Sequence, residues 1–598
     1  MPSDSAESTS VQYVHSVSEA YRLLPSASRW NSVELDFNIF PTPRISDSIP
    51  SKFSKSFDYD LVITSKKNLF RCVSIFVFLV LALLALVLSL HFVPGKHAHH
   101  GSLNNYTVPI NKALTLFDAQ KSGVLPKNST VKFRGDSGLK DGNTTNVQVD
   151  LIGGFYDSGN NVKYSLTIAY TVTLLSWSVI EYNQKYVDIG EIEHVKDIIR
   201  WGSDYLLKVG STTNDTTAEN DINCWQRPED MTYPRPVSVC NNVGSDLAGE
   251  IVAALSASSL VFKDDEKAYS VKLSKSAENL FELATGASYK QGRYTADEAC
   301  GREAQQIYNS SGYLDELVWG GTWLYFATGN VSHLGYVTKH FELAMKEDSI
   351  YDGLLDWDNK LTATTVLLAR LQYFHDPGYP YEFTLEASAN MSDALICTYM
   401  FDQIASVTPG GLILLKSGHD APLQYAAAAS FLSKLYYDYL YMMGRSDASC
   451  GYEQFSVDLL QSFSLSQVNY IIGDNPMKMS YLVGYTDKFP THVHHRSASI
   501  PWDNQQHSCV EGARWLTSKD PNPNIIIGAM VAGPDKTDNF TDERGMPQFT
   551  EPTISGNAGL VAALIALHES PFNSSSLISV NGGIDRTGIF SNIHVELS

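Results

Sequence analysis

Three short stretches concentrate residue types that could do chemistry. In the first, Gly153-Gly154-Phe155-Tyr156-Asp157-Ser158-Gly159-Asn160, three glycines within seven residues interrupt any helix and let backbone approach a ligand. Asp157 adds a carboxylate and Tyr156 a flat stacking face. The plainer reading is a tight turn in which Asp157 caps the helix that follows. In the second, Asp542-Glu543-Arg544 precedes Thr550-Glu551-Pro552-Thr553 at the mouth of an apolar helix, Leu560 to His568. Glu551 there suits a loop-borne general acid, or, more plainly, a carboxylate complementing the positive end of a helix dipole. The third is His494-His495-Arg496. Adjacent histidines lack the spacing of a helical zinc site, so no metal is expected, nor any cofactor. An imidazole beside a guanidinium instead suits hydrogen bonding to hydroxyls.

The elements that must position these stretches read as helices. Apolar residues recur every three to four positions over Ala169 to Tyr186, Ile192 to Val209, Gly244 to Phe262, Tyr269 to Thr285, Tyr313 to Thr328, Leu361 to Tyr373, Ala421 to Met443 and Phe455 to Ile472. Strand-like alternation is scarce. An all-α domain with long loops on a helical frame follows, and the pattern alone does not separate a solenoid from a closed barrel.

Residues 72–93, CVSIFVFLVLALLALVLSLHFV, carry no Lys, Arg, Asp or Glu and predict one transmembrane helix of roughly 30 Å. A cleaved signal peptide fits poorly, because the run is long and lies behind a polar segment. Lys66, Lys67 and Arg71 precede the span, with Lys52 and Lys55 further back, which places the N-terminus in the cytosol and gives a single-pass type II topology. Sequons at Asn105, Asn128, Asn143, Asn214, Asn309, Asn330, Asn390, Asn539 and Asn573 all follow the span, as do six of the seven cysteines. Their pairing cannot be deduced from sequence.

The expected layout is a Ser-rich disordered cytosolic tail over 1–71, the signal-anchor over 72–93, a stalk over 94–106 and one catalytic-size domain over 107–598. In the tail, Glu19 to Leu24 and Tyr59 to Val62 have the form of sorting signals. The lipid bilayer is therefore an expected partner, at the plasma membrane or a secretory or endosomal membrane. A net charge of −21 without a Lys/Arg cluster excludes nucleic acid.

Longer stretches carry a resemblance. GGFYDSGN, CWQRPEDM (224–231), DELVWGGTWLYFATGN (315–330), WDNK (357–360), PGYPYE (377–382), HVHHRSASIP (492–501), PNPNIIIGAMVAGPDKTDNFTDER (521–544) and TEPTISGNAGLVAAL (550–564) resemble, in order, the glycoside hydrolase family 9 endoglucanases. With the span and tail, the chain is similar to the membrane-anchored plant subgroup, the KORRIGAN type. The resemblance implies an (α/α)6 barrel and inverting hydrolysis of β-1,4-glucan, related to the cell wall or to cellulose-synthesising machinery. It implies Glu551 as general acid, Asp157 as a holder of the attacking water, His494 and Asp542 as active-site residues, and Arg496, Tyr156, Trp319 and Trp357 as substrate contacts. One departure matters most: Asn160 stands where the family has its general base, and an amide has no useful basicity. Thr486, Ser497 and the run GMPQF before Thr550 depart as well. The alternative is a glycan-binding scaffold without turnover.

Overall fold

The structure, a computed structural model, describes Ser74 and residues 104–144, 148–209, 219–301, 304–347, 353–400, 406–415, 421–450, 453–569 and 583–593. The chain divides into residues 1–100 and 101–598, and the second unit carries all but one of the described residues. The tail with its two sorting patterns, the apolar span (Ser74 apart), Asn214 and Asn573 lie outside them.

Among the described residues twelve long helices build the second unit: α1 (Thr107–Gln120), α2 (Ser165–Asp188), α3 (Ile192–Val209), α4 (Ser245–Phe262), α5 (Lys267–Thr285), α6 (Leu314–Thr328), α7 (Val331–Glu347), α8 (Leu361–His375), α9 (Glu382–Met400), α10 (Pro422–Met442), α11 (Asp458–Ile472) and α12 (Ile554–Leu567). The even-numbered helices pack successively, and α12 returns to α2, closing an inner ring. Each has an outer partner: α3, α5, α7, α9 and α11 follow theirs, and α1 backs α12. The arrangement is an (α/α)6 barrel, which decides between the two architectures that helical periodicity left open.

Residue pattern explains the two layers. Every residue of α4 and of α12 is buried, and apart from Asp246, Glu250 and Asn557 these helices are apolar or small-residue on all sides. Where α4 meets α6 the backbones touch: a Cβ on Gly249 would lie 2.5 Å from the Glu316 carbonyl oxygen. Outer α3 buries one stripe, Val195, Ile198, Ile199, Gly202, Tyr205, Leu206 and Val209, at the three-to-four spacing of an amphipathic helix. Inside the ring Trp177 meets Trp319, Trp323 and Phe431 edge-to-face at 5.2–5.7 Å. One described helix, α4, is long and apolar enough to cross a membrane, and it is an inner wall of this barrel.

Chain direction then places the loops. Segments entering the inner helices are long, such as 121–164, 286–313 and 473–553, whereas those leaving them are short, such as 189–191, 263–266 and 329–330. The long loops gather at the rim where the inner helices begin. Three outer helices, α1, α7 and α9, escaped the periodicity reading because Pro109, Gly335 and the sequon at Asn390 interrupt it. Two short hairpins, Ser406–Val407 with Ile413–Leu414 and Asp447–Cys450 with Glu453–Ser456, supply the named strands. Disulfides join Cys224 to Cys509 and Cys240 to Cys300, and Cys397 is disulfide-bonded too. All seven described sequon asparagines, Asn105, Asn128, Asn143, Asn309, Asn330, Asn390 and Asn539, are exposed.

Candidate active site

The rim brings the three sequence stretches into one junction. Gly159 N–H donates to Glu551 Oε1 at 3.1 Å, Arg496 N–H donates to the Gly159 carbonyl at 3.1 Å, and His494 N–H donates to the Thr550 carbonyl at 3.2 Å. Ile554 N–H, at the start of α12, donates to the Asp157 carbonyl at 3.0 Å. Glycine is required at 159, because a Cβ there would lie 1.9 Å from the His494 carbonyl oxygen. Gly154 adopts φ +73°, and its missing side chain makes room for the Tyr205 ring.

Glu551 is half-buried, and its Oε1 accepts a second hydrogen bond, from Ser158 Oγ at 2.7 Å. Ser158 Oγ accepts in turn from Asn160 Nδ2 at 2.6 Å, while Asn160 Oδ1 accepts from the Val162 N–H at 2.9 Å. Both ends of the Asn160 amide thus bond within its own loop.

Asp157 is fully buried. Thr167 Oγ1 donates to its Oδ1 at 2.6 Å and the Tyr308 hydroxyl to its Oδ2 at 2.5 Å. Burial, and then the Asp157 charge, pushes the Tyr308 phenol well up, so it remains a donor. Its ring stands edge-on to Trp357 at 4.8 Å and to Tyr164 at 4.9 Å. Asp157 therefore braces the loop from below. Tyr308 and Thr167 were not singled out in sequence; their signal was position, seven residues before the DELVWGG motif and in the first turn of α2.

His494 Nδ1 donates to the Arg544 carbonyl at 2.6 Å, and the ring lies edge-on to Trp225 at 4.7 Å. His495 is structural: burial, then Arg134, pulls it down to about 3, and as a neutral ring it caps the turn Arg496–Ser499 through Nδ1. Ser497 sits in that turn without strain, and its carbonyl accepts from Asn524 at 2.8 Å. Thr486 is exposed in a turn, and GMPQF forms the short helix Pro547–Thr550.

Four sequence-predicted residues take other roles. Arg496 is 4% exposed and donates through Nη1 and Nη2 to the Asp221 carboxylate and carbonyl, so it fixes the segment before Trp225. Asp542 accepts from the Thr491 and His492 N–H groups at 2.8 and 2.9 Å and aims the strand of chain that carries His494. Tyr156 is 1% exposed, bonded to Ser137 Oγ and covered by Arg134 and Arg235. Trp319 is 0% exposed within the Trp177 cluster. Neither ring offers a face to a ligand: both belong to the scaffold because inner-ring and loop-base positions are closed by packing on every side. Trp357, at 9% exposed, is the least buried of the three aromatics.

Beneath the first loop Lys163 donates to Asp141 at 2.7 Å and to the Leu151 and Gly153 carbonyls at 2.6 and 3.1 Å. Burial pulls its ammonium down to about 8. Burial alone would push Asp141 up, but Lys163 and Arg235 hold it below the ordinary carboxylate range. A separate cavity of about 600 Å³ on the same rim is lined by Lys290, Arg293, Asp297, Tyr313 and Glu347 among others and contains none of the junction residues. No group of His, Cys, Asp and Glu suited to a metal ion occurs among the described residues.

Comparison with known proteins agrees with this frame. The model of "Glycosyl hydrolase family 9" matches residues 106–564. Endoglucanase 25 of Arabidopsis thaliana is 44% identical over 565 residues, covering 90% of this chain and 88% of the relative. Endoglucanase 10 of Oryza sativa subsp. japonica is 44% identical over 524 residues, covering 83% and 82%. Among solved structures, an endoglucanase from the termite Nasutitermes takasagoensis superposes with a TM-score of 0.66 at 31% identity, covering 77% of this chain and 98% of that one. Endoglucanase CelQ from Clostridium thermocellum, complexed with cellobiose and cellotriose, gives 0.61 at 26% identity, covering 78% and 70%.

Proposed function

We propose that this chain, which belongs to glycosyl hydrolase family 9 and is an endoglucanase by that membership, cleaves β-1,4-glucan by inversion with Glu551 as general acid and without a competent general base at position 160. The observation that carries the reading is the junction at Glu551, where the loop before α2, the His494 segment and the mouth of α12 meet through hydrogen bonds. Glu551 gives its proton to the glycosidic oxygen as the C1–O bond breaks, and the bond's electron pair leaves on that oxygen. Water adds to C1 from the opposite face and must lose a proton. In an inverting enzyme a carboxylate accepts that proton; Asn160 can orient the water but cannot take it, and general-base help is worth about 10²–10⁴ in rate.

Asn160 also stands close to the acid. Hydrogen bonds of 2.6 and 2.7 Å in series put Asn160 Nδ2 at most about 5.3 Å from Glu551 Oε1, less than the roughly 6.5–9.5 Å that separates an inverting pair. Together with the burial of Asp157, this favours one second reading, a glycan-binding scaffold with little turnover. Proton NMR of cellotetraose during hydrolysis distinguishes the mechanisms: the α-anomer appearing first supports inversion, and the β-anomer appearing first contradicts it.

The apolar run 72–93, the preceding cations and the sequons confined to the far side support a type II anchor with the barrel in the secretory lumen or outside the cell, acting on cell-wall or nascent glucan. Exposure of all seven described sequon asparagines fits glycosylation at those sites. Protease added to intact microsomes should remove only the tail and leave the glycosylated barrel; loss of the barrel with a protected tail would reverse the topology.

A further inference from the structure

We propose that Ser158 is a positioning residue for catalysis, which assigns the proton of Glu551 to one oxygen and stabilises the carboxylate that proton transfer leaves behind. The inference rests on the reading of Glu551 as the acid and adds a residue to it.

Hydrogen-bond polarity carries the proposal. The Val162 N–H can only donate, so the Asn160 atom facing it is the amide oxygen, and the atom facing Ser158 is the NH₂ group. An NH₂ group can only donate as well. Ser158 Oγ must therefore accept from Asn160, and its single hydrogen is directed at Glu551 Oε1. Gly159 N–H donates to the same oxygen. With two donors on Oε1, the acidic hydrogen of Glu551 belongs on Oε2, the oxygen that must face the glycosidic bond. When Oε2–H passes its proton to the leaving oxygen, the electrons of the O–H bond stay on the carboxylate. Hydrogen bonds to a carboxylate are shorter and stronger than those to a neutral carboxyl, so the Ser158 and Gly159 donors strengthen as the transition state is reached. Asn160 thus retains a part in the site: its amide prevents the Ser158 hydroxyl from turning away from the acid.

The test uses leaving-group dependence. Cleavage of cellotetraose needs a proton on a poor leaving group, whereas 2,4-dinitrophenyl β-cellobioside releases an anion stable without one. In the full chain, Ser158→Ala should lower kcat on cellotetraose about 10- to 100-fold, the worth of a hydrogen bond to a charged group. KM should change little, as should the rate on the aryl cellobioside. Ser158→Thr, which keeps the hydroxyl, should restore most of the loss. Should Ser158→Ala fail to fold by circular dichroism, Ser158→Cys, of similar shape but a weak donor, replaces it. Glu551→Gln is measured alongside. Substrate-selective loss in Glu551→Gln with equal losses on both substrates, or no loss, in Ser158→Ala overturns the Ser158 proposal alone. Equal effects of Glu551→Gln on both substrates overturn the acid assignment and the proposal with it.

Discussion

The two ends of the barrel bury charge in opposite ways. At the rim, where the six inner helices begin, the buried ionic groups within their first turns are carboxylates: Asp246 in α4 and Asp315 and Glu316 in α6, with Asp157 in the loop ahead of α2. At the far end, where the same helices finish, Lys185, Arg370 and Lys434 are buried on α2, α8 and α10. Helix dipoles favour this division, since helix N-termini attract negative charge and C-termini positive. Pairing differs as well. At the far end Arg370 donates to Glu181 at 3.3 Å and to the Asp585 carbonyl at 2.9 Å, and Tyr439 completes Glu181 at 2.6 Å. Lys434 pairs with Asp438, which also accepts from Tyr182 at 2.8 Å. At the rim Lys360, just ahead of α8, lies 3.4 Å from Glu250 and 3.6 Å from Glu316, whereas the loops above bury Lys163, Arg227 and Arg496 against carboxylates of their own, Asp141, Asp230 and Asp221. Burial, then Asp315, pushes Glu316 well up, and burial pushes Asp246 up to about 7. The far end spends charge on closing the barrel, and the rim keeps carboxylates concentrated where the loops carry the chemistry.

Breaking the far-end pair should give the largest stability effect. Arg370→Met leaves Glu181 buried without its cation, which typically costs about 3–5 kcal/mol. Chemical denaturation should show that loss, while kcat of the folded protein stays near the parent's. A large fall in kcat with little change in stability would show that the ends are not separable in this way.

Smaller effects should sharpen the contrast through pH. Burial, then Lys434, pulls Lys185 down to about 7, so between about 7 and 10.5 the unfolded chain binds the proton and the folded chain does not. This site adds stability at high pH that is lost as pH falls through 7. Lys185→Met should therefore raise Tm most below pH 7 and progressively less toward pH 10. Asp246 has the opposite sign. Its raised value favours the folded state below about 3.8, and that contribution is lost as pH rises through 7. Asp246→Asn should flatten the decline of Tm between pH 4 and 7, by less than Lys185→Met moves its own window because the Tyr294 N–H, shared between the two Asp246 oxygens at 2.9 and 3.0 Å, loses part of its acceptor. Equal pH slopes for the two variants would remove the electrostatic distinction between the ends.

Much of this organisation was legible in the residues. Eight helices followed from apolar spacing, because α3 and its kind expose one polar face, and inner helices such as α4 are marked by continuous small and apolar residues. The three chemistry-bearing stretches were also legible, since Gly-rich turns and a Glu-Pro step at a helix mouth leave a local signature. Burial was not. Tyr156 and Trp319 carry the same side chains as cleft aromatics, and what makes them scaffold is closure by Arg134 and Arg235 over the first and by Trp177, from another helix, with Trp323 over the second. The pairing of Arg496 was hidden for the same reason, as Asp221 lies 275 residues away in sequence. The Ser158 relay needed the direction of each hydrogen bond, which sequence does not carry.

The central claim, that position 160 limits the rate while Glu551 and its supports are intact, is tested most directly by the kcat of Asn160→Asp on a soluble β-1,4-glucan beside the unmodified chain. Restoring a carboxylate there should raise kcat by about 10-fold or more with KM little altered, because the gain of about 10²–10⁴ from a base in the transition state exceeds what the acid loses when the Ser158 hydroxyl gives up its Asn160 donor. Brisk turnover by the unmodified chain with no gain in Asn160→Asp would contradict the claim and place the base at another carboxylate.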